Sequence, residues 1–238
     1  MNANSVGPRP LVARLVDATV EIPLRGFRPD RQATKDPRIF RGRDGVWKIR
    51  ALDRVSLDIR SGDRIGISGA NGSGKTTLLR LLGGLLPLAS GTIEHFGSVR
   101  PLISIGAGLS QALTGRQNAE LQHGLLGIES VPLADFIDNV AEFAEIGDFF
   151  DMPVSTYSPG MVTRLQFAIN TVEPSDLLIL DEWIGVADEA FYQKAQERLQ
   201  NYIARNEAFL CASHNKTLLS SLTETRKKIV GGRAVADT

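Results

Sequence analysis

Two stretches of the sequence hold residue types and spacings suited to chemistry on a phosphate ester. The first is Gly69-Ala70-Asn71-Gly72-Ser73-Gly74-Lys75-Thr76, which fits the pattern Gly-x-x-x-x-Gly-Lys-Ser/Thr. Glycines let a backbone curl so that its N–H groups point inward at phosphate oxygens. A helix opening at the end of such a loop adds the partial positive charge of its N-terminus. Lys75 can reach the β- and γ-phosphates, the Thr76 hydroxyl can ligate Mg²⁺, and Thr77 belongs to the same nucleotide-binding turn. The second stretch is Leu177-Leu178-Ile179-Leu180-Asp181-Glu182, an apolar run ending in two acids. Asp181, at the carboxyl end of a strand, can hold Mg²⁺ directly or through water. Glu182 can polarise an attacking water as general base. Acids after a strand are ordinary turn residues by themselves; together with a phosphate loop they make a strong pair.

Around these stretches, the apolar pattern sets out the elements that must position them. Leu11 to Ile22 reads as a first strand, and Ala51 to Ile59 alternates as a half-buried strand does. Ser61-Gly62-Asp63 is a turn, and Arg64 to Ser68 is a short strand running into the glycine loop. Thr76 to Leu82 reads as a helix stopped by Gly83-Gly84 and Pro87. Strand-like pieces follow at Thr92-Ile93 and from Val99 to Ile105. Thr114-Gly115-Arg116-Gln117 matches a capping box that opens a helix. Leu133, Phe136, Ile137, Val140 and Phe143 recur at helical spacing, and a third helix begins near Met161. Leu177 to Leu180 is apolar throughout, as in a parallel sheet covered on both faces. Phe191, Ala195, Leu199 and Tyr202 mark another helix, and Ala208 to Ala212 another strand. Arg226 to Val235 reads as a hairpin folded at Gly231-Gly232. Helices gather between about 114 and 172, which points to a helical lobe inserted into an α/β core.

Composition bounds the rest. The 238 residues, 42% hydrophobic and 23% charged, suit one sizeable α/β domain or a core with an inserted lobe. A formal net charge of zero gives no general pull toward nucleic acid. No run of about 18 apolar residues reads as a membrane span, and the N-terminal residues lack the apolar stretch of a signal peptide. The single cysteine, Cys211, excludes an internal disulfide and fits a reducing cytoplasm. It lies in an apolar run and reads as a buried small hydrophobe. Residues 23 to 50 differ from their surroundings, with nine basic residues against three acids and prolines at 23, 29 and 37 that argue against regular structure. That segment either faces anionic lipid headgroups or a pyrophosphate-linked lipid, or is a solvated loop.

Between the two stretches lies Tyr157-Ser158-Pro159-Gly160-Met161, with Arg164 after it. This resembles the signature Leu-Ser-Gly-Gly-Gln of ABC proteins, in the Tyr-Ser-x-Gly-Met form of polysaccharide-export subunits. Asp188 stands six residues after Glu182, where the ABC family has its D-loop aspartate. Ser213-His214 follows an apolar strand, where the family has its switch histidine. Ile105-Gly106-Ala107-Gly108 and Leu113-Thr114-Gly115-Arg116-Gln117-Asn118 resemble a stretch of exporters for O-antigen, capsule and teichoic acid. The resemblance runs from about Leu11 to Asp237.

The resemblance implies a single ABC ATP-binding domain over 1–238: an α/β P-loop NTPase core with an N-terminal antiparallel β portion and an inserted Q-loop and helical lobe over 104–172. It implies an ATPase that uses ATP and Mg²⁺ and drives export of a lipid-linked polysaccharide such as O-antigen through a separate ABC-2-type membrane permease. It implies a homodimer sandwiching two ATP molecules at the cytoplasmic face of the bacterial inner membrane, with no nucleic acid partner. Glu182 and His214 would be catalytic, Ser158 and Gly160 would act on the nucleotide of the other chain, and Asp188 would be a further nucleotide-binding residue. Two alternatives stay open: another exported cargo (drug, lipid or peptide), or an ATP-binding regulatory subunit with weak hydrolysis. Ser104 and Ile105 stand where the family usually has a sensing glutamine, so no Q-loop ligand is assigned. Ile22 stands where an adenine-stacking aromatic is expected, leaving Phe27, Phe40 and Trp47 as candidates.

Overall fold

The computed structural model describes residues 9–27, 36–103, 108–181, 189–213 and 216–236. They divide into two compact units. The first takes in Met1–Ile103, Ser175–Glu182 and Glu207–Thr238; the second takes in Ser104–Pro174 and Trp183–Asn206.

The first unit holds two sheets. Strands β1 (Leu11–Pro23), β2 (Ile39–Arg41), β3 (Trp47–Arg60) and β5 (Ser90–His95) form an antiparallel sheet in the order β2-β3-β1-β5. The second sheet runs β10-β9-β4-β8-β7-β6. It is built from β4 (Arg64–Ser68), β6 (Val99–Leu102), β7 (Leu177–Asp181), β8 (Ala208–Ala212), β9 (Thr225–Val230) and β10 (Arg233–Ala236). All of its pairings are parallel except β9 with β10, the expected hairpin. Leu177 to Leu180 and all of β8 are buried, as strands covered on both faces must be. Helix α1 (Lys75–Leu82) buries Leu78, Leu79, Leu81 and Leu82 against β3, β7 and β8. One apolar core therefore joins the antiparallel sheet, α1 and the parallel strands.

The described residues of the basic segment, 23–27 and 36–50, are more regular than their prolines suggest, and Pro29 lies outside the described residues. Pro23 closes β1 and Pro37 lies just before β2, so neither interrupts a ladder. Gly45, at φ +75°, turns the chain between β2 and β3, with Gly42 N–H bonded to the Val46 carbonyl and Val46 N–H to the Asp44 carboxylate. That hairpin lets β3 begin at Trp47, four residues before the expected Ala51. Helix α6 (Lys216–Leu222) had no clear sequence signal.

The second unit is helical: α2 (Gly115–Leu125), α3 (Leu133–Ala144), α4 (Pro159–Asn170) and α5 (Glu189–Arg205), with short 3₁₀ turns at Gly147–Asp151 and Val154–Thr156. The capping box at the start of α2 is complete, the Thr114 hydroxyl accepting from Gln117 N–H and the Gln117 side chain from Thr114 N–H. In α3, Phe136, Ile137, Val140 and Phe143 are buried as their spacing predicts, whereas Leu133 in the first turn is exposed. Phe143 is the hub, its ring packed against Phe167 and Phe191 and covered by the guanidinium of Arg198 at 4.1 Å. Burial lowers Arg198 to about 10, and its N–H groups are taken up by Thr171, Asn139 and the Ala168 carbonyl. Through Phe191, helix α5 joins this unit rather than the sheet core.

Candidate functional site

The glycine loop lies between β4 and α1, and its shape follows from its residue types. Gly69, Gly72 and Gly74 have φ of +149°, +71° and +116°, which side chains rarely tolerate. A Cβ on Gly69 would strike the Ile229 carbonyl, and one on Gly74 would lie 2.7 Å from the Ala51 carbonyl. The loop is closed by Ser73 N–H to the Ala70 carbonyl (3.1 Å) and braced by Gly232 N–H to the Ser73 carbonyl (2.8 Å). Lys75 is 8% exposed, and its Nζ donates to the carbonyls of Gly69 (2.9 Å) and Ala70 (3.2 Å). Ser73 Oγ is buried with no hydrogen-bond partner. A buried orphan hydroxyl costs free energy that a bound oxyanion would relieve. The loop therefore fits the triphosphate that its pattern implies.

Thr76 and Thr77 are half-buried in the first turn of α1. Asp181 ends β7 opposite Ala212 of β8, and β8 is the neighbour of β4, which feeds the loop. The phosphate loop and Asp181 thus share the carboxyl edge of one parallel sheet, where open α/β sheets bind ligands. Thr76 and Asp181 supply the hydroxyl and carboxylate oxygens that suit Mg²⁺. Glu182, Asp188 and His214 lie outside the described residues, as do Ser104 to Ala107.

The signature residues belong to the second unit. Ser158 is the N-cap of α4 and accepts from Met161 N–H at 3.2 Å. Pro159 takes the first helical position, where no intrahelical bond is lost. Ser158 and Pro159 are exposed, and Gly160 is half-buried at the same N-terminus. Tyr157 anchors the turn by donating its hydroxyl to the Phe149 carbonyl (2.6 Å), and burial raises its pKa.

The sequence reading missed the groups that border the loop from outside. A cavity of about 570 Å³ lies beside Ala70 to Ser73 and is also lined by Asp36, Arg38 and Lys228. A neighbouring one of about 580 Å³ shares Pro37, Arg38 and Gly231 with it and adds Phe40, Arg50 and Asp53. Of the three aromatic candidates, Phe40 lines this second cavity, whereas the rings of Phe27 and Trp47 pack edge-on against each other at 6.0 Å. Arg50 lies over Phe40 at 5.0 Å and reaches Glu21 at 3.3 Å. The one available signal was the run of basic residues between 23 and 50. The structure gives several of them partners: Arg38 the phosphate loop, Arg50 the Glu21 carboxylate, and Lys48 the Asp44 carboxylate within the hairpin.

Comparison with known proteins gives the family and the fold. Residues 52–185 match the ABC transporter family. The chain is 40% identical over 185 residues to the O-antigen export system ATP-binding protein RfbE of Yersinia enterocolitica, covering 78% of this chain and 77% of that one. It is 42% identical to the teichoic acids export ATP-binding protein TagH of Enterococcus faecalis over 69% of this chain, but spans 37% of that protein's length. The TagH protein of Staphylococcus haemolyticus is 37% identical, with 80% of this chain and 71% of that one covered. A solved ATP-binding subunit of an ABC transporter has the same fold, at a TM-score of 0.69 and 16% identity, with 94% and 88% of the two chains covered. A dimeric ATP-binding cassette in a post-hydrolysis state, bound to ADP and Pi, gives a TM-score of 0.65 at 16% identity over 93% and 96%. The chain belongs to the ABC transporter family, as one of its ATP-binding subunits.

Proposed function

We propose that the chain hydrolyses ATP and that this drives export of a lipid-linked polysaccharide through a separate membrane permease. The preformed glycine loop carries the ATP reading, with a buried Lys75 ammonium and the unpartnered Ser73 hydroxyl waiting for oxyanions. The cargo reading rests on the names of the relatives, which export O-antigen and teichoic acids.

Residues 69–76 hold the phosphates, Lys75 neutralising the β- and γ-phosphates as the loop N–H groups fix their orientation. Thr76 and Asp181 would hold Mg²⁺, which supplies charge stabilisation for the phosphoryl group in flight. Phe40, on the wall of the neighbouring cavity, is the aromatic best set to meet the base. Glu182 takes the proton of the attacking water, and His214 contacts the γ-phosphate. Ser158 and Gly160 act on the nucleotide held by a second copy, so two ATP molecules join two chains, and Asp188 is a further nucleotide-binding residue. The Gly160 N–H at the α4 N-terminus suits that γ-phosphate, since Pro159 has no N–H and Met161 N–H is taken by Ser158 Oγ. The permease, of the ABC-2 type, docks against residues 104–118 and the helices after them, holding the chain at the cytoplasmic face of the inner membrane. Domain-wise, 104–172 serves as the lobe inserted into a single ATP-binding domain.

Exchanging the chromosomal copy for a Lys75→Ala version tests the cargo reading. Lipid-linked glycan should accumulate inside the cell and be lost from the surface. Unchanged surface glycan would rule the polysaccharide cargo out.

A further inference from the structure

Arg38 reaches the phosphate loop from a segment 34 residues away and is held there by its own counter-ion. Its Nη1 donates to the Gly72 carbonyl at 2.7 Å. Its Nε and Nη2 fork onto the Asp36 carboxylate at 3.0 and 2.6 Å, and its backbone N–H donates to the same carboxylate at 3.0 Å. Arg50 N–H donates to the Arg38 carbonyl at 2.8 Å, which ties the residue to β3. The guanidinium is thus fixed in plane before it meets the loop, as the rigid fork of arginine permits. The same side chain borders both cavities, the one beside the loop and the one lined by Phe40.

The carbonyl it grips belongs to the loop residue with the most freedom. Gly72 is exposed at φ +71°, and a Cβ there would meet nothing within 4 Å, so packing does not hold it. A glycine that packing leaves loose keeps much backbone entropy, which must be lost when a ligand orders the loop. A guanidinium on its carbonyl fixes the peptide plane from Gly72 to Ser73 in advance. Preorganisation of this kind strengthens binding by lowering the ordering cost.

We infer that Asp36 and Arg38 form a clasp that positions the phosphate loop and tightens its hold on nucleoside triphosphates. The inference rests on the ATP reading above. Arg38 is a positioning residue: it acts through Gly72, so its loss weakens nucleotide affinity while leaving the chemical step nearly intact. The clasp makes a different prediction from the lipid-facing reading of the basic segment, under which reversing Arg38, Arg41 and Arg43 to Glu would leave ATP binding in solution intact.

The test is calorimetric titration of the full chain with Mg²⁺ and ATP, beside turnover. Wild type, Lys75→Ala, Arg38→Ala, Arg38→Lys, Asp36→Asn and Arg43→Ala are compared. Arg38→Ala should raise Kd and KM by about tenfold, the scale of one hydrogen bond from a charged group, with kcat within about twofold of wild type. Asp36→Asn should shift Kd the same way by less, and Arg38→Lys should recover part of the loss through one remaining donor. Arg43→Ala removes one charge from the same exposed segment and should change nothing. Equal Kd for wild type and the Arg38 and Asp36 variants would overturn the clasp. So would an equal loss in Arg43→Ala, which would reduce the effect to net charge. Should wild type itself bind no ATP, the nucleotide reading falls first, and Lys75→Ala would then match it.

Discussion

At the residue scale, Lys75 and Ser73 sit in the loop with unequal shares of hydrogen bonds. Lys75 already holds the Gly69 and Ala70 carbonyls together, whereas Ser73 Oγ is buried and unpartnered. Lys75→Ala should therefore cost ATP affinity roughly a hundredfold, about 3 kcal/mol, because cation and loop brace are lost together. Titration of the variant with ATP and Mg²⁺ checks this, and affinity within about threefold of wild type would count against it. Gly69→Ala should also weaken binding and lower Tm, since its Cβ has no room beside the Ile229 carbonyl. The pH dependence follows from Asp36. Hydrogen bonds from Arg38 lower its pKa to about 2, so its contribution is complete above its unfolded value near 4 and is lost only as pH falls through 2. ATP affinity should then show no clasp-dependent change between about pH 5 and 8. A difference between wild type and Asp36→Asn that varies across that range would contradict it.

At the element scale, local signals carried and pairings at a distance did not. The capping box of α2 needs only residues 114 to 117, and it stands complete. The buried stripe of α3 needs only period 3.6, and Phe136 through Phe143 follow it; Leu133 fails because it lies in the first turn, beyond the packed face. Strand β2 was hidden because three residues, Ile39 to Arg41, carry no period of their own and exist by pairing with β3. Arg38 was legible as a basic residue, but its partner Gly72 could be found only in three dimensions. Thr114→Ala should cost about 1 kcal/mol by removing the cap of α2. Asn118 is fully buried and bonds Ser110, Leu113 and Thr114 through its amide, so Asn118→Ala should cost more, roughly 2–3 kcal/mol. Chemical denaturation of the two variants checks the order, and the reverse order would show that the amide network is dispensable.

At the scale of the whole chain, the first unit gathers its phosphate loop and Asp181 on one sheet edge, and the second carries the signature helix on aromatic packing around Phe143. The sheet core was readable because parallel strands buried on both faces must be apolar throughout, as Leu177 to Leu180 and Ala208 to Ala212 are. The membership of α5 in the helical unit was not readable, since it depends on Phe191 meeting Phe143 across 47 intervening positions of ordinary composition. The measurement that decides whether this assembly is a motor is ATP turnover by the purified chain with its permease in lipid, beside a Glu182→Gln variant. Wild type should hydrolyse ATP, and the variant should lose roughly 10²–10⁴ in rate while holding a nucleotide-bound dimer. If both bind ATP and neither turns it over, the chain is a nucleotide-sensing subunit and not the motor.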